Sequence, residues 1–139
     1  MADDLTPGLI CEYEAIFGYG DAGPHLTGAE RDLAVRAEQA HRDRRDAVMT
    51  WLAERGQEVP AAQPAYTLPV EPVDAASARD LIGRLEERCA AAWRSVLPDS
   101  TEEARRIAVE ALAATAISAA RWRRMTGVTP STVAFPGRT

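Results

Sequence analysis

A glutamate and a histidine three residues apart, Glu38 and His41, have the clearest spacing for metal chemistry in this chain. Residues three apart share one face of a helix, so a carboxylate and an imidazole at that spacing can converge on one ion. Glu12 lies three residues after Leu9 and four before Ile16, inside the apolar stripe of another predicted helix. Glu12, Glu38 and His41 are therefore candidate metal ligands.

Two further glutamates complete a symmetric pattern. Glu12 and Glu38 are equally far from residue 25 in the first predicted turn, and Glu86 and Glu110 are equally far from Pro98 in the second. Each helical hairpin would then hold a facing pair of carboxylates at one height. Four-helix bundles that bind two metal ions use one Glu from each of two helices and a Glu-x-x-His pair from each of the others. The pattern predicts a site made of Glu12, Glu38, His41, Glu86 and Glu110, with iron, manganese or zinc as the possible ion.

One expected ligand is absent, because Ala113 stands three residues after Glu110 where a second histidine would lie. Arg45 lies one turn beyond His41 and could pair with Glu38 or Glu12, which would neutralise the carboxylates without an ion.

Two functions follow as alternatives. The favoured one is a non-catalytic structural or interaction protein with a degenerate carboxylate layer, and the other is a redox or metal-handling protein with an incomplete site. A bundle that holds a small apolar ligand is a third class, which no specific residue supports.

The elements that carry these residues are predicted to be four helices, over residues 7–20, 28–55, 75–97 and 101–125. Four closely spaced prolines mark residues 56–73 as an extended connector, and its apolar residues predict packing against a surface. An extended tail is predicted over 128–139, with Val133 and Phe135 as docking points. Two helical hairpins joined by one long connector predict an all-α, single-domain, ferritin-like four-helix bundle over residues 1–139.

Composition narrows the function classes further. The 139 residues carry a net charge of -5, so neither a nucleic-acid partner nor a membrane partner is expected. The 16 basic residues are all Arg. No apolar run reaches the length of a membrane span and no export signal is recognised, which makes the cytoplasm the default compartment. Cys11 and Cys89 form no Cys-x-x-Cys pair and lie beside no activating pattern, so they are expected to be buried free thiols. No catalytic residue is predicted.

The fourth predicted helix carries a single charged residue, Glu110, between Ile107 and Ala120. A helix that is apolar around most of its circumference is buried on two sides. We therefore expect this helix to contribute to a homodimer.

Over essentially its whole length the chain resembles a ferritin-like domain of unknown function found in alanine-rich actinobacterial proteins. The resemblance implies the bundle fold and brings no established activity. Di-iron proteins of the ferritin type are similar only at the five candidate ligands, and the departure at Ala113 argues against iron oxidation. The segments that carry the resemblance to the actinobacterial domain are residues 12–20, 41–46, 64–70, 119–123 and 134–137.

Overall fold

The computed structural model describes residues 4–127, and within them the chain is all-helical, without strands. The four helices are α1 (Thr6–Ala22), α2 (Gly28–Glu54), α3 (Ala75–Ser95) and α4 (Glu102–Thr126). Their ends lie within two residues of the predicted ones. The predicted tail over 128–139 lies outside the described residues.

The helix ends follow local chemistry. Pro7 occupies the first turn of α1, where a missing N–H leaves no hydrogen bond unmade. The Asp74 side chain accepts a hydrogen bond from the Ser77 backbone N–H at 2.8 Å and forms a capping box at the start of α3. Gly127, with φ of 80°, adopts the left-handed conformation that ends α4.

The helices pack in a chain of neighbours, because α1 contacts both α2 and α3, and α3 contacts α4. A cleft separates α2 from α4. The connector after α2 packs on the outside of α1, where the Tyr13 hydroxyl donates to the Pro60 carbonyl at 2.7 Å and Phe17 meets the Tyr66 ring edge-on at 5.7 Å. It thereby covers apolar side chains of α1 that would otherwise face water.

Two apolar clusters fill the interior, one above the other. The first includes Leu9, Trp93 and Ala108, and the second includes Tyr19 and Trp122. Between them Glu12 of α1, His41 of α2 and Glu86 of α3 meet in a buried polar layer, and α4 contributes the buried Thr115. This polar layer is the level at which the sequence pattern predicts a site.

None of the helices in residues 4–127 combines the length and apolar character that a membrane span requires.

Candidate functional site

The polar layer centres on His41, whose imidazole lies between two carboxylates. Its Nδ1 is 2.6 Å from Glu12 Oε1, and its Nε2 is 2.6 Å from Glu86 Oε1. The three residues come from α2, α1 and α3, and each is at most 2% exposed. Hydrogen bonds at both ring nitrogens fix the orientation of the ring and join three helices at one point.

Further donors bond the same two carboxylates. The Tyr19 hydroxyl donates to Glu86 Oε1 at 2.6 Å, the Trp93 indole N–H to Glu12 Oε2 at 2.9 Å, and Arg44 Nη1 to Glu12 Oε1 at 2.9 Å. The Trp93 ring reaches the layer because Gly8 carries no side chain: a Cβ there would lie 2.5 Å from a ring carbon. Small residues on α1 are therefore part of the site.

The charges of the layer compensate one another. Burial alone would lower the pKa of His41, but the carboxylates of Glu86 and Glu12 raise it to about 10, so the ring is an imidazolium that donates from both nitrogens. Burial would raise the pKa of Glu12, but its hydrogen bond to His41 and the Arg44 guanidinium hold it below its ordinary value. Two carboxylates thus face two cations, which removes the cost of burying unpaired charge.

The neighbouring Tyr19 stays a neutral donor in this layer. Burial and the Glu86 carboxylate together raise the pKa of its hydroxyl well above 10.0. The tyrosine therefore supplies a hydrogen bond to Glu86 without adding a third negative charge.

Two predicted ligands lie outside the layer. Glu38 pairs with Arg42 at 2.8 Å on the outer side of α2, and the Glu110 side chain is 69% exposed, 3.6 Å from Arg106. The inward face of α4 passes through Ala111 and Thr115. Glu110 precedes Ala111 by one residue, which rotates it about 100° away from the interior. The symmetric spacing predicts the height of a residue along its helix but not its rotation about the helix axis.

Arg45 does not form the pair with Glu38 or Glu12 that its position on α2 allows. The Arg45 side chain bonds its neighbour Asp46 at 2.9 Å, while Arg44 reaches Glu12. Arg44 and Arg45 follow His41 by three and four residues, so both lie near its face of the helix. Which of the two reaches Glu12 depends on how α1 packs against α2, and the sequence of α2 alone does not contain that packing.

Sequence reasoning missed Cys89 as a member of the site. Glu12, His41 and Cys89 each offer a ligand atom, and these atoms lie within 4.8 Å of one another. A carboxylate oxygen, an imidazole nitrogen and a thiolate sulfur form a donor set that could hold a metal ion. The sequence does contain a signal for Cys89: it follows Glu86 by three residues on α3, which is the same spacing that relates His41 to Glu38.

Comparisons with known proteins identify a family and a solved structure whose descriptions name no function. A family model described as a domain of unknown function (DUF4439) matches residues 5–139. The chain is 36% identical to a conserved hypothetical protein from Mycobacterium tuberculosis whose crystal structure is known, with a TM-score of 0.83 over 87% of this chain and 92% of that one. No curated protein matches the chain.

Because Arg44, and not Arg45, bonds Glu12, we expect two adjacent arginine substitutions to lower the stability of the fold by different amounts. Arg44→Gln removes a hydrogen bond to a buried carboxylate and should lower the free energy of unfolding at pH 7 by about 2 kcal/mol. Arg45→Gln removes an exposed pair and should cost less than about 1 kcal/mol. Urea unfolding followed by circular dichroism measures both values. Equal losses in the two variants would contradict the assignment.

The protonation of His41 predicts how stability depends on pH. Because folding raises the pKa of His41 from 6.5 to about 10, its contribution is complete below pH 6.5 and is lost as the pH rises through about 10. The lowered pKa of Glu12 acts in the opposite direction: its contribution is present above pH 4.5 and is lost as the pH falls through the lower folded value. Wild-type unfolding free energy should therefore fall by about 3 kcal/mol between pH 6.5 and 9.

His41→Gln should abolish this alkaline fall, whereas His25→Gln, which replaces the other histidine, should retain it. Urea titrations of the three proteins across the pH range supply the comparison. If His41→Gln kept the wild-type slope, His41 would not be the titrating group.

Proposed function

The chain belongs to the DUF4439 family of domains of unknown function, and we propose that it is a non-catalytic, ferritin-like four-helix bundle that acts by protein assembly. The proposal rests on one observation above all: His41 engages both buried carboxylates with its two ring nitrogens. The protein's own cations thus occupy the level at which a bundle of this class would hold metal ions. The long connector between α2 and α3 supports the ferritin-like connectivity.

Metal binding would have to displace an existing network. A ferritin-type site needs inward-facing carboxylates from four helices, and here only α1 and α3 supply one. An ion bound to His41 would have to replace a ring proton held with a pKa of about 10. At pH 7 that replacement costs about 4 kcal/mol before any ligand bond forms. Arg44 adds a second positive charge beside Glu12, which further opposes a cation.

The alternative is a mononuclear metal site, favoured by the close approach of Glu12, His41 and Cys89. Deprotonated Cys89 and neutral His41 would be its ligands, with Glu12 as the oxygen donor. In the metal-free chain the pKa of Cys89 lies well above 9.0, because of its hydrogen bond with Cys11 and its burial. Loading such a site would thus release protons from both residues.

Cobalt(II) binding distinguishes a non-catalytic assembly protein from a protein with a mononuclear metal site. Cobalt(II) added to the purified, chelator-treated chain should produce no thiolate-to-cobalt absorbance, and elemental analysis of untreated protein should find iron, manganese and zinc only in substoichiometric amounts. A strong charge-transfer band that Cys89→Ser abolishes and Cys11→Ser retains would replace our proposal by the metal-binding alternative. Both serine variants remove one sulfur, so they are matched controls.

For assembly we propose that α4 binds a second copy of the chain. Its outer face carries Val109, Ala113 and Ile117 at four-residue spacing, and Val109 and Ile117 are 48% and 60% exposed. Two antiparallel copies of α4 that cross at Ala113 would bring Val109 of one copy against Ile117 of the other. The alanine at the crossing permits close approach of the two backbones.

Charge complementarity supports the antiparallel arrangement. The helix begins with the exposed Glu102 and ends with the exposed Arg124, while Glu103 and Arg123 already pair with Arg55 and Glu87 within the chain. In an antiparallel pair the acidic end of each copy lies beside the basic end of its partner. A self-complementary face of this kind is what a two-fold dimer requires.

Ile117→Arg should raise the dimer dissociation constant about tenfold or more, because it places a charge in the apolar centre of the interface. Val35→Arg is the matched control, since Val35 on α2 is equally exposed at 61% and lies outside the proposed contact. Sedimentation velocity over a range of concentrations measures both constants. A wild-type chain that stays monomeric at micromolar concentration would overturn the dimer.

A further inference from the structure

The two cysteines of the chain contact one another across the interface between α1 and α3. The Cys89 thiol donates to the Cys11 carbonyl at 3.3 Å, and the Cys11 thiol donates to the carbonyl of Arg88, the residue before Cys89, at 3.7 Å. Both cysteines are free thiols.

Solvent reaches only one of the two thiols. Cys89 is 1% exposed, whereas Cys11 is partly exposed and lines a surface groove of about 470 Å³ together with Pro69 and Arg88. A small oxidant that enters the groove therefore meets Cys11 first. Cys89 lies behind it, shielded from the oxidant by burial, with its thiol 3.3 Å from the carbonyl of Cys11. An accessible cysteine that the oxidant reaches, with a second cysteine nearby that resolves the sulfenic acid, is typical of redox-sensitive sites.

We propose that Cys11 and Cys89 form an oxidation site, at which a hydroperoxide converts the two thiols into a disulfide that links α1 to α3.

The reaction balances in two steps when hydrogen peroxide is the oxidant. The Cys11 sulfur attacks one peroxide oxygen, the O–O bond breaks, and Cys11 sulfenic acid and one water form. The Cys89 sulfur then attacks the Cys11 sulfur, the S–O bond breaks, and a second water leaves. Together the two thiols lose two electrons and two protons, which the peroxide accepts as it becomes two waters.

The crosslink would bear directly on the polar layer. Cys11 precedes Glu12, and Cys89 lies one turn beyond Glu86, so the disulfide fastens together the two helices that carry both buried carboxylates. It also consumes the sulfur of the Glu12, His41 and Cys89 group. The oxidised chain would offer no thiolate to a metal ion. The disulfide itself depends neither on metal binding nor on the dimer.

The test treats the folded, reduced chain with hydrogen peroxide, unfolds it, and alkylates the remaining thiols. The intact mass should fall by two hydrogen atoms with no alkylation, and peptide mapping should find Cys11 joined to Cys89 within one chain. A phosphine reductant should restore two alkylatable thiols. Oxidation should also raise the midpoint of thermal unfolding by on the order of 10 °C, because the closed loop is long.

Single variants separate the roles of the two thiols. In Cys89→Ser, or in Cys89→Ala if the serine is not tolerated, the sulfenic acid at Cys11 should persist and react with a dimedone probe. In Cys11→Ser, Cys89 should remain reduced because the oxidant cannot reach it. Oxidation of wild-type Cys11 to sulfinic acid while Cys89 stays alkylatable would overturn the proposal. So would disulfides that form only between chains.

Discussion

The structure depends on one buried imidazolium. Burying two carboxylates costs several kcal/mol each unless a cation contacts them. The two ring nitrogens of His41 lie 2.6 Å from oxygens of Glu12 and Glu86. Because Glu12, His41 and Glu86 come from three helices, their bonds fix the heights of α1, α2 and α3 relative to one another. Arg44 completes the neutralisation at Glu12 from the edge of the layer. The apolar clusters on either side of the polar layer pack between helices held at these heights.

The fourth helix stands apart from this charge network. The buried Thr115 hydroxyl donates to the Ala111 carbonyl within α4 itself. The inner face of α4 is otherwise built of alanines and Trp122, and ion pairs join its two ends to neighbouring helices, Arg123 to Glu87 of α3 and Glu103 to Arg55 at the end of α2. These contacts leave Val109 and Ile117 exposed on its outer face. That exposed apolar face is why α4 is the helix that we propose for assembly.

The sequence predicts what is local and misses what depends on helix rotation. The four helices follow from apolar periodicity and from Pro and Gly at their ends. Glu12 and His41 follow from their places on apolar helix faces, and Glu86 follows from its spacing about Pro98. Glu38 and Glu110 have the right height, but their helices turn them outward to Arg42 and Arg106. The rotation of a helix about its axis is set by packing over its whole length. A spacing rule between two residues does not contain it.

A buried polar layer also protects the register of the helices. The face of α3 that packs against α1 carries large side chains, of which Trp93 and Leu85 lie against Gly8 and Gly18 of α1. A slip of α3 by one turn would move Glu86 by about 5.4 Å and break its bond to His41, leaving a buried carboxylate without a cation. That loss costs about 3–5 kcal/mol, a large part of the stability of a small domain. The layer therefore adds an electrostatic cost of slipping to the steric one set by Trp93 and Gly8, which gives the residues a structural purpose independent of any bound ion.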